Sequence, residues 1–454
     1  MAVNIVESCM VTPPSGATPP TEALWLSNLD HMFREYNPMV FVYRRPPSRH
    51  GPKDFFSPEA LKAALSKALV PFYPLAGRLA PDGAGRMEIR CSGDGVLFVT
   101  ARTDATLDDM GDLAPSDQLR RTLVPSAEYS SGHAGVLVML QVTFFKCGAV
   151  CLGTAFHHMV SDGRGFIAFI NTWAAMVRGA GAAVPPPPFL DRTLLRARSP
   201  PKAPLDHAEE YGWPRGAEQP NKPKPPFATA IIGVSKHQVE ALKRGAGVDG
   251  RKVPTFTALS AHAWRCACMA RGLAGTETTR QRTAADARSR VRPPLPACYL
   301  GNALVRAMAV ATVEDVVFGP LHATAATVAE ATDRLTDDYV RSQVDWLEQC
   351  KGYREGSGVG RWDIPDTDLY VVSWLGLPYP EVDFGWGRPA FVGRATMRIA
   401  GAVYLVPRKR GGGGGLDVVV AMEPETLKRF KELFCEDIMR YSLAHGTKHY
   451  SSKL

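Results

Sequence analysis

A histidine pair followed by an aspartate and a glycine is the part of this sequence best equipped to do chemistry. His157 and His158 are adjacent, Asp162 follows four residues after His158, and Gly163 comes next. Imidazole titrates near neutral pH, so it can take a proton from a nucleophile under working conditions. Asp162 could orient such a base, or it could pair with an arginine elsewhere and hold the turn. The spacing alone leaves both options open.

Two other interpretations of these residues stay open at this stage. A histidine pair at a strand end can be a purely structural, hydrogen-bonded element. Histidine and aspartate are also metal ligands. Adjacent strand residues point to opposite faces, however, so His157 and His158 would not easily share one ion. The sequence therefore predicts no metal site here.

The flanking residues predict the elements that position this stretch. Residues 148–156 are small and apolar, which is typical of a strand buried on both faces. The run from Asp162 to Gly165 has the composition of a tight turn, and apolar residues then recur at helical spacing from Phe166 to Met176. A strand end is a common place for a reactive side chain, because a rigid element aims it.

A second motif, Asp383-Phe384-Gly385-Trp386-Gly387, lies about half the chain further on. Together with the HxxxDG stretch from His158 to Gly163, it resembles the motif pair of the plant BAHD acyl-CoA-dependent acyltransferases, and the chain is most similar to their hydroxycinnamoyltransferases. Further matching stretches run along the chain, at residues 69–79, Asp286 to Arg288, and Tyr299 to Asn302. The resemblance thus covers nearly all 454 residues.

The resemblance implies an α/β fold with two domains, like that of chloramphenicol acetyltransferase, and a channel between the domains. Residues 1–183 would form the N-terminal domain with the HxxxDG motif, and residues 227–454 the C-terminal domain with DFGWG. Residues 184–226 begin with a proline run and contain few apolar stretches, so they are expected to be the crossover linker.

The resemblance also implies roles for the motif residues. His158 would be the general base that takes a proton from the acceptor as the acceptor attacks the thioester carbonyl. Asp162 would turn away and pair with Arg288, with direct orientation of His158 as the alternative. Asp383 would shape its loop. Trp386 could donate its indole N–H to the acceptor or the developing oxyanion, or could simply pack.

The cosubstrate implied by the resemblance is an acyl-CoA, and no further cofactor is expected. Lys252 and Thr255 lie near positions at which the family contacts CoA. Pro254, between them, occupies a place that often carries a hydroxyl group in the family.

The acceptor side is where the sequence departs from the shikimate- and quinate-using relatives. Those relatives carry an arginine ten residues before the DFGWG tryptophan, where its guanidinium can form two hydrogen bonds to the carboxylate of the acceptor. In this sequence the same position is Gly376. They also carry a histidine where Tyr36 stands. We therefore expect a small amine acceptor such as putrescine, agmatine, tryptamine or tyramine, with Glu35 or Glu381 near the far end of a diamine. The alternative is O-acylation of shikimate, quinate, glycerol or another alcohol.

Composition argues against other classes of protein. With 45% apolar and 22% charged residues, the chain has the make-up of a soluble globular protein, and no apolar run predicts a membrane span. The net charge of +8 is dispersed, which disfavours a nucleic-acid binder, although part of it could attract an anionic CoA thioester. Nine cysteines without CxxC spacing favour reduced thiols.

We therefore expect a monomer that acts in the cytoplasm, without a secretory signal. The terminal tripeptide Ser452-Lys453-Leu454 matches the peroxisomal import tag, which gives peroxisomal import as the alternative. A non-catalytic binding protein with the same fold is a rival that the intact motifs disfavour.

Periodicity elsewhere predicts three helical stretches and one loop. Residues 57–69 should form a helix with Ser57 as its N-cap, and residues 255–271 a buried helix whose His262 is structural. Residues 324–347 read as one long helix. The glycine run at residues 411–415 is expected to be a flexible loop.

Overall fold

The computed structural model describes residues 2–17, 19–45, 55–126, 135–179, 181–211, 226–350, 364–408 and 414–446. The predicted import tag at residues 452–454 lies outside these ranges, as do residues 411–413 of the glycine run and residues 212–225 of the predicted linker. Within the described ranges, every helix is too short or too polar to cross a lipid bilayer.

The described residues form both strands and helices, as expected for an α/β protein. The strands are β1 (Asn4–Val11), β2 (Ala23–Leu24), β3 (Tyr36–Tyr43), β4 (Arg78–Pro81), β5 (Met87–Arg90), β6 (Val96–Thr103), β7 (Val138–Phe145), β8 (Val150–His157), β9 (Ala228–Ser235), β10 (Thr278–Asp286), β11 (Leu304–Thr312), β12 (Leu369–Ser373), β13 (Phe391–Arg394), β14 (Ala402–Pro407) and β15 (Gly415–Met422). The α-helices are α1 (Asn28–His31), α2 (Pro58–Ala68), α3 (Asp117–Leu123), α4 (Gly163–Arg178), α5 (Lys236–Gly245), α6 (Thr255–Arg271), α7 (Val313–Phe318), α8 (Leu321–Asp333), α9 (Asp337–Gln349) and α10 (Pro424–Gly446).

Two six-stranded mixed sheets form the centre of the molecule. The first has the order β1-β6-β7-β8-β3-β13, and the second has the order β11-β10-β12-β14-β15-β9. A small sheet with the order β2-β5-β4 lies beside the first. The division into residues 1–183 and 227–454 stays a prediction, but sheet membership crosses it: β13, from the second half, pairs antiparallel with β3 of the first sheet.

Helices cover the two large sheets. Leu61 of α2 and Phe166 and Trp173 of α4 pack with the first sheet in one core cluster. Trp264 of α6 and Phe430 of α10 pack with the second sheet in another. Burial of these large apolar side chains favours folding.

The predicted site strand and helix are both present. In β8 the residues from Val150 to Phe156 are buried, as expected for a strand covered on both faces. The helix that follows begins after Asp162, whose side chain accepts hydrogen bonds from the backbone N–H groups of Arg164 and Gly165. An aspartate at this position satisfies the free donors of the first turn.

The other helix predictions have mixed outcomes. Ser57 caps α2, and α6 spans the predicted residues, with His262 buried inside it. The single long helix at 324–347 is wrong, because α8 ends at Asp333 and α9 starts at Asp337. Thr336 ends the run by capping α9 through the N–H of Tyr339. A threonine cap followed by acidic residues in the first turn favours a new helix start.

The described part of the predicted linker is packed against the molecule. Arg192 and Leu195, in a short 3₁₀ turn, are buried, as is His207 further on. Arg198 and the N–H of Lys202 both bind the carboxylate of Asp345 in α9. The polar composition of this segment therefore reflects specific contacts with the molecule and not only exposure to water.

Candidate active site

His158 follows β8 directly and lines a cavity of about 590 Å³. One wall comes from the first half of the chain and includes Phe33 and Tyr36. Another part of the wall comes from the second half and includes Tyr370 and Tyr404. A cavity between two halves, with a few polar groups among aromatic rings, is the usual setting of a small-molecule site.

The His158 ring is held on two sides. Phe33 stacks on it, with the ring centroids 4.2 Å apart and the planes 22° from parallel. Its Nδ1 lies 3.0 Å from Oδ1 of Asn302, and its backbone N–H donates to the carbonyl of Glu35. Since an amide oxygen can only accept, Nδ1 must carry the proton. Nε2 then has the free lone pair, as a general base requires.

Burial decides the protonation of both histidines. Burial lowers the pKa of His158 and outweighs the hydrogen bond to Asn302 and the charge of Asp162, which act in the opposite direction. Burial, with a smaller effect of the neighbouring ring, lowers the pKa of His157 to about 4. His158 is therefore neutral, and able to accept a proton, at neutral pH. The ring of His157 packs edge-on against Tyr36.

Asp162 points away from His158 and binds Arg288. Nη1 of Arg288 lies 2.8 Å from Oδ2, and Nη2 lies 3.0 Å from Oδ1. Oδ2 also accepts the N–H of Ala303. Burial would raise the pKa of Asp162, but the guanidinium and these hydrogen bonds reverse the effect and lower it. The carboxylate thus stays ionised and joins the start of α4 to the loop after β10.

The acceptor residues predicted from the sequence lie in the cavity wall. Gly376, Tyr36 and Glu35 all line it, and a Cβ built on Gly376 would meet no atom of the described residues within 4 Å. The Tyr36 hydroxyl donates to the carbonyl of Val136. Glu35 forms an ion pair with Arg398, which also lines the cavity. Glu381, by contrast, is not among the residues of the cavity wall.

The side chain of Glu381 pairs instead with Arg388, at 2.7 Å. Sequence reasoning did not identify the cavity arginines Arg394 and Arg398, because neither belongs to a motif. Nη1 of Arg394 donates to the side chain of Asn37, at 2.6 Å. Burial lowers the pKa of Arg398 to about 10.

The DFGWG loop is built by its aspartate. Asp383 Oδ1 accepts the N–H groups of Gly385, at 2.7 Å, and Gly387, at 3.0 Å. Both glycines have positive φ, where other residues are strained. The structure does not bring Trp386 into the cavity wall: its ring packs on Phe56, with centroids 4.8 Å apart. These contacts favour packing over the predicted N–H donation to substrate.

The two residues expected near CoA also lie outside this cavity wall. Lys252 Nζ binds Glu240, at 2.7 Å, and half of its side chain is exposed. Thr255 is the first residue of α6. An exposed lysine near a helix start can attract an anionic cosubstrate.

One group of metal-ligand side chains lies away from the motifs, where His262 and Cys266 of α6 approach Asp437 of α10. Nε2 of His262 is 3.1 Å from the carbonyl oxygen of Phe434, which fixes it as a donor to a helix. Burial raises the pKa of the Cys266 thiol well above its usual range, so the thiolate that metals prefer is disfavoured. The arrangement fits helix packing.

Most of the chain is similar to a known family of proteins. The sequence model of a family described as the Transferase family matches residues 1–437. The putrescine hydroxycinnamoyltransferase 1 of Oryza sativa subsp. japonica is 55% identical over 96% of this chain and 100% of its own length. This chain belongs to the BAHD acyltransferases. It is therefore an acyl-CoA-dependent acyltransferase, and the family predicted from its two motifs is confirmed.

Other BAHD relatives include enzymes with different acceptors. The hydroxycinnamoyl-CoA:5-hydroxyanthranilate N-hydroxycinnamoyltransferase of Avena sativa is 40% identical over 96% of this chain and 100% of its own length. The shikimate O-hydroxycinnamoyltransferase of Nicotiana tabacum is 39% identical over 95% of this chain and 99% of its own length. The prediction of hydroxycinnamoyltransferase relatives is thus confirmed.

Solved structures support the BAHD fold. Vinorine synthase superimposes with a TM-score of 0.70 at 22% identity and covers 94% of this chain and 96% of its own. TRI101 of F. graminearum, solved with coenzyme A and T-2 mycotoxin, gives 0.73 at 18% identity and covers 91% of this chain and 97% of its own. The predicted α/β fold is confirmed. The family's cosubstrate is a CoA thioester.

Asn302 is a further site residue that sequence reasoning missed, besides Arg394 and Arg398. It ends the matching stretch from Tyr299 to Asn302, which was noted only as a sign of resemblance. The signal that could have identified it was the presence of a carboxamide in that stretch. Its partner, His158, lies 144 residues earlier, so the contact itself was not readable from spacing.

Proposed function

We propose that this acyltransferase moves a hydroxycinnamoyl group, such as coumaroyl, caffeoyl or feruloyl, from CoA to the nitrogen of a small amine, with His158 as the general base. The observation that carries this proposal is the hydrogen bond of 3.0 Å between Nδ1 of His158 and Oδ1 of Asn302. It leaves Nε2 as the nitrogen with a free lone pair in a residue that lines the cavity.

In the reaction, the acceptor nitrogen attacks the thioester carbonyl carbon while Nε2 of His158 takes one of its protons. A C–N bond forms and the C–S bond breaks. The proton then passes from the imidazolium to the departing thiolate, which leaves as free CoA. No covalent enzyme intermediate is needed, because the base and the bound substrates are held close together.

Two observations favour an amine acceptor, although the Glu35 carboxylate in the cavity wall is already paired with Arg398. Gly376 leaves open space where a guanidinium would bind a carboxylate. The relative with 55% identity is named for putrescine. Since an alkylamine is mostly protonated at neutral pH, the enzyme must bind or generate its neutral form.

A second candidate acceptor is an amine or alcohol that carries a carboxylate. Arg394 and Arg398 line the cavity, and a guanidinium pairs well with a carboxylate. The Avena sativa relative is named for 5-hydroxyanthranilate, which has both an amine and a carboxylate. Glu35 already neutralises Arg398 and the carboxamide of Asn37 binds Arg394, so both guanidinium groups have partners. We therefore place this candidate second.

The organisation around the reaction is proposed as follows. Residues 1–183 and 227–454 act as two domains joined by residues 184–226, and the enzyme works as a monomer in the cytoplasm. Lys252 and Thr255 contact CoA. Asp162, Arg288 and Asp383 support the site without touching substrate.

A direct assay tests the acceptor. Coumaroyl-CoA is offered with putrescine, agmatine, tyramine, tryptamine, 5-hydroxyanthranilate, shikimate or glycerol, and the acylated product is identified by mass spectrometry. We expect the highest kcat/KM with an amine that lacks a carboxylate. Preference for 5-hydroxyanthranilate would favour the second candidate, and turnover with shikimate alone would overturn the amine proposal.

The base is tested by substitution. We expect His158→Ala to lower kcat by about 10²- to 10⁴-fold, the usual share of a general base. His157→Ala is the matched neighbour and should keep most of the activity. Equal rates in His158→Ala and the parent enzyme would overturn the proposed mechanism.

A further inference from the structure

Asp30 of α1 lies behind Asn302 and is fully buried. Its Oδ1 accepts two hydrogen bonds from Asn302, one from the backbone N–H at 2.7 Å and one from the side-chain amide at 3.0 Å. Its Oδ2 accepts the backbone N–H and the hydroxyl of Ser27, each at 2.8 Å. The two carboxylate oxygens therefore serve different neighbours.

The carboxamide of Asn302 has a single orientation that satisfies its neighbours. Its NH₂ group donates to Oδ1 of Asp30 and to the carbonyl of His158, the latter at 2.7 Å. A flipped amide would place its oxygen against both of these acceptors. The flip would also place NH₂ against Nδ1 of His158. Asp30 and the His158 carbonyl thus decide which end of the amide meets the imidazole.

The crossover segment supplies the counter-ion of Asp30. Nη1 of Arg192 lies 3.2 Å from Oδ2, and neither side chain has any exposed surface. Nη2 of Arg192 donates to the carbonyl of Val160, at 2.6 Å, within the turn that follows His158. A buried carboxylate without a positive partner would be strongly disfavoured, so the ion pair with Arg192 compensates the burial of Asp30.

We propose that Asp30 is a positioning residue for the acyl transfer: through the amide of Asn302 it keeps the proton of His158 on Nδ1 and the lone pair on Nε2. The inference deepens the proposed function and rests on His158 acting as the base. Asp30 touches neither substrate. Its contribution is to select one of the two neutral forms of the imidazole.

Asp30→Asn weakens this selection, because the carbonyl of His158 is then the one acceptor that still favours the original orientation of the Asn302 amide. The new side chain has only one oxygen, and the fixed donors of Arg192 and Ser27 favour its position at Oδ2. The NH₂ group of the new asparagine then faces Asn302 and favours the amide oxygen of Asn302 as its acceptor. The amide of Asn302 flips to allow this, and its own NH₂ group then faces Nδ1 of His158. An imidazole facing a donor at Nδ1 must carry its proton on Nε2, where it cannot act as a base.

Nitrogen-15 NMR of the full-length enzyme with labelled histidine reads the proton position directly. At about pH 8 the ring is neutral, and protonated and bare imidazole nitrogens have separate shifts. The signals of His158 are assigned by their loss in His158→Ala. We expect the proton on Nδ1 in the parent enzyme and a substantial fraction on Nε2 in Asp30→Asn. A proton on Nε2 in the parent would overturn the proposal.

Kinetics provide the second readout, with Ser27→Ala as the matched control. That variant loses the hydroxyl hydrogen bond to Oδ2 of the same buried carboxylate, together with the N-cap of α1, and it removes no atom that binds Asn302. We expect kcat to fall about 10- to 100-fold in Asp30→Asn, with KM for both substrates within about twofold, and to change by less than about twofold in Ser27→Ala. Equal losses of kcat in both variants would show that Asp30 has only a structural role.

The outcomes separate this inference from the proposed function. If His158→Ala keeps the parent rate, the base mechanism fails whatever the NMR shows. If His158→Ala is inactive but Asp30→Asn keeps both the Nδ1 proton and the parent kcat, only the positioning role of Asp30 fails. Should Asp30→Asn not fold, the proton position in the parent enzyme still decides whether the amide selects the tautomer.

Discussion

Asp162 and Arg288 meet through two parallel hydrogen bonds, although 126 residues separate them in the chain. The side chains are only 2% and 7% exposed. Arg288 also donates to the carbonyl of Tyr299, so it holds the loop that carries Asn302 as well as the turn after His158. The pair therefore connects the two stretches that supply the base and its hydrogen-bond partner.

Removing Asp162 should destabilise the enzyme more than removing Asp286, a partly exposed carboxylate that also pairs with Arg288. Asp162→Ala leaves the buried charge of Arg288 without its bidentate partner, and we expect a loss of about 3–5 kcal/mol in the free energy of unfolding. Asp286→Ala removes an ion pair to the same arginine whose carboxylate is 37% exposed, and should cost less than about 1 kcal/mol. Urea unfolding compares the two. Similar losses would contradict the structural role of Asp162.

The same carboxylate should make stability sensitive to acid. The folded state lowers the pKa of Asp162, mainly through Arg288 acting against burial. An aspartate in the unfolded chain has a pKa of about 3.9. The stabilisation is therefore complete above about pH 4 and is lost as the pH falls through the lower folded pKa. Between pH 4 and 2, urea midpoints of Asp162→Ala should fall less steeply than those of the parent enzyme.

The pH dependence of the reaction should report a base with a lowered pKa. With an alkylamine acceptor, kcat/KM falls about tenfold per pH unit below the amine pKa of about 10. We expect kcat/KM to fall about hundredfold per pH unit only below about pH 6.5, where His158 is protonated as well as the amine. The second loss starts this low because burial lowers the pKa of His158. Arg394→Gln removes a charge that lowers this pKa and should move the break upward. A break above pH 7 in the parent would contradict a buried neutral base.

Filling the space at Gly376 should change the preference of the enzyme among acceptors. Since a Cβ there meets no atom of the described residues within 4 Å, Gly376→Arg should fold normally and place a guanidinium at the cavity wall. We expect kcat/KM for shikimate or quinate to rise about tenfold or more relative to the amines. Gly376→Met adds similar bulk without charge and is the control. Equal behaviour of the two variants would show that size, not charge, sets this preference.

Substituting Trp386 should distinguish packing from catalysis. Its ring packs on Phe55 and Phe56, so Trp386→Phe should cost roughly 1–2 kcal/mol of stability and leave kcat within about threefold of the parent. Thermal unfolding and steady-state kinetics measure the two effects. A fall in kcat of tenfold or more at unchanged stability would restore the interpretation of the indole N–H as a donor to substrate.

Local patterns gave most of the elements around the site. The apolar run before His158 and the helical spacing after Gly163 correspond to β8 and α4, because burial and capping act over a few neighbouring residues. The prediction of one helix from 324 to 347 failed for an equally local reason. Its apolar periodicity continues through the cap at Thr336, and the cap, not the periodicity, sets the helix start.

The sequence by itself determined the kind of chemistry, since two motifs and their order resemble those of a family whose members use a histidine base and an acyl thioester in a channel. Only the tertiary structure decided the working form of that base. The proton position on His158 depends on Asn302 and Asp30. These three residues come from separate parts of the chain and meet only after folding. The structure likewise placed Arg394 and Arg398 in the cavity and Trp386 outside its wall. Hydrogen-bond direction and cavity lining depend on distances between side chains in space, and separation along the chain does not encode those distances.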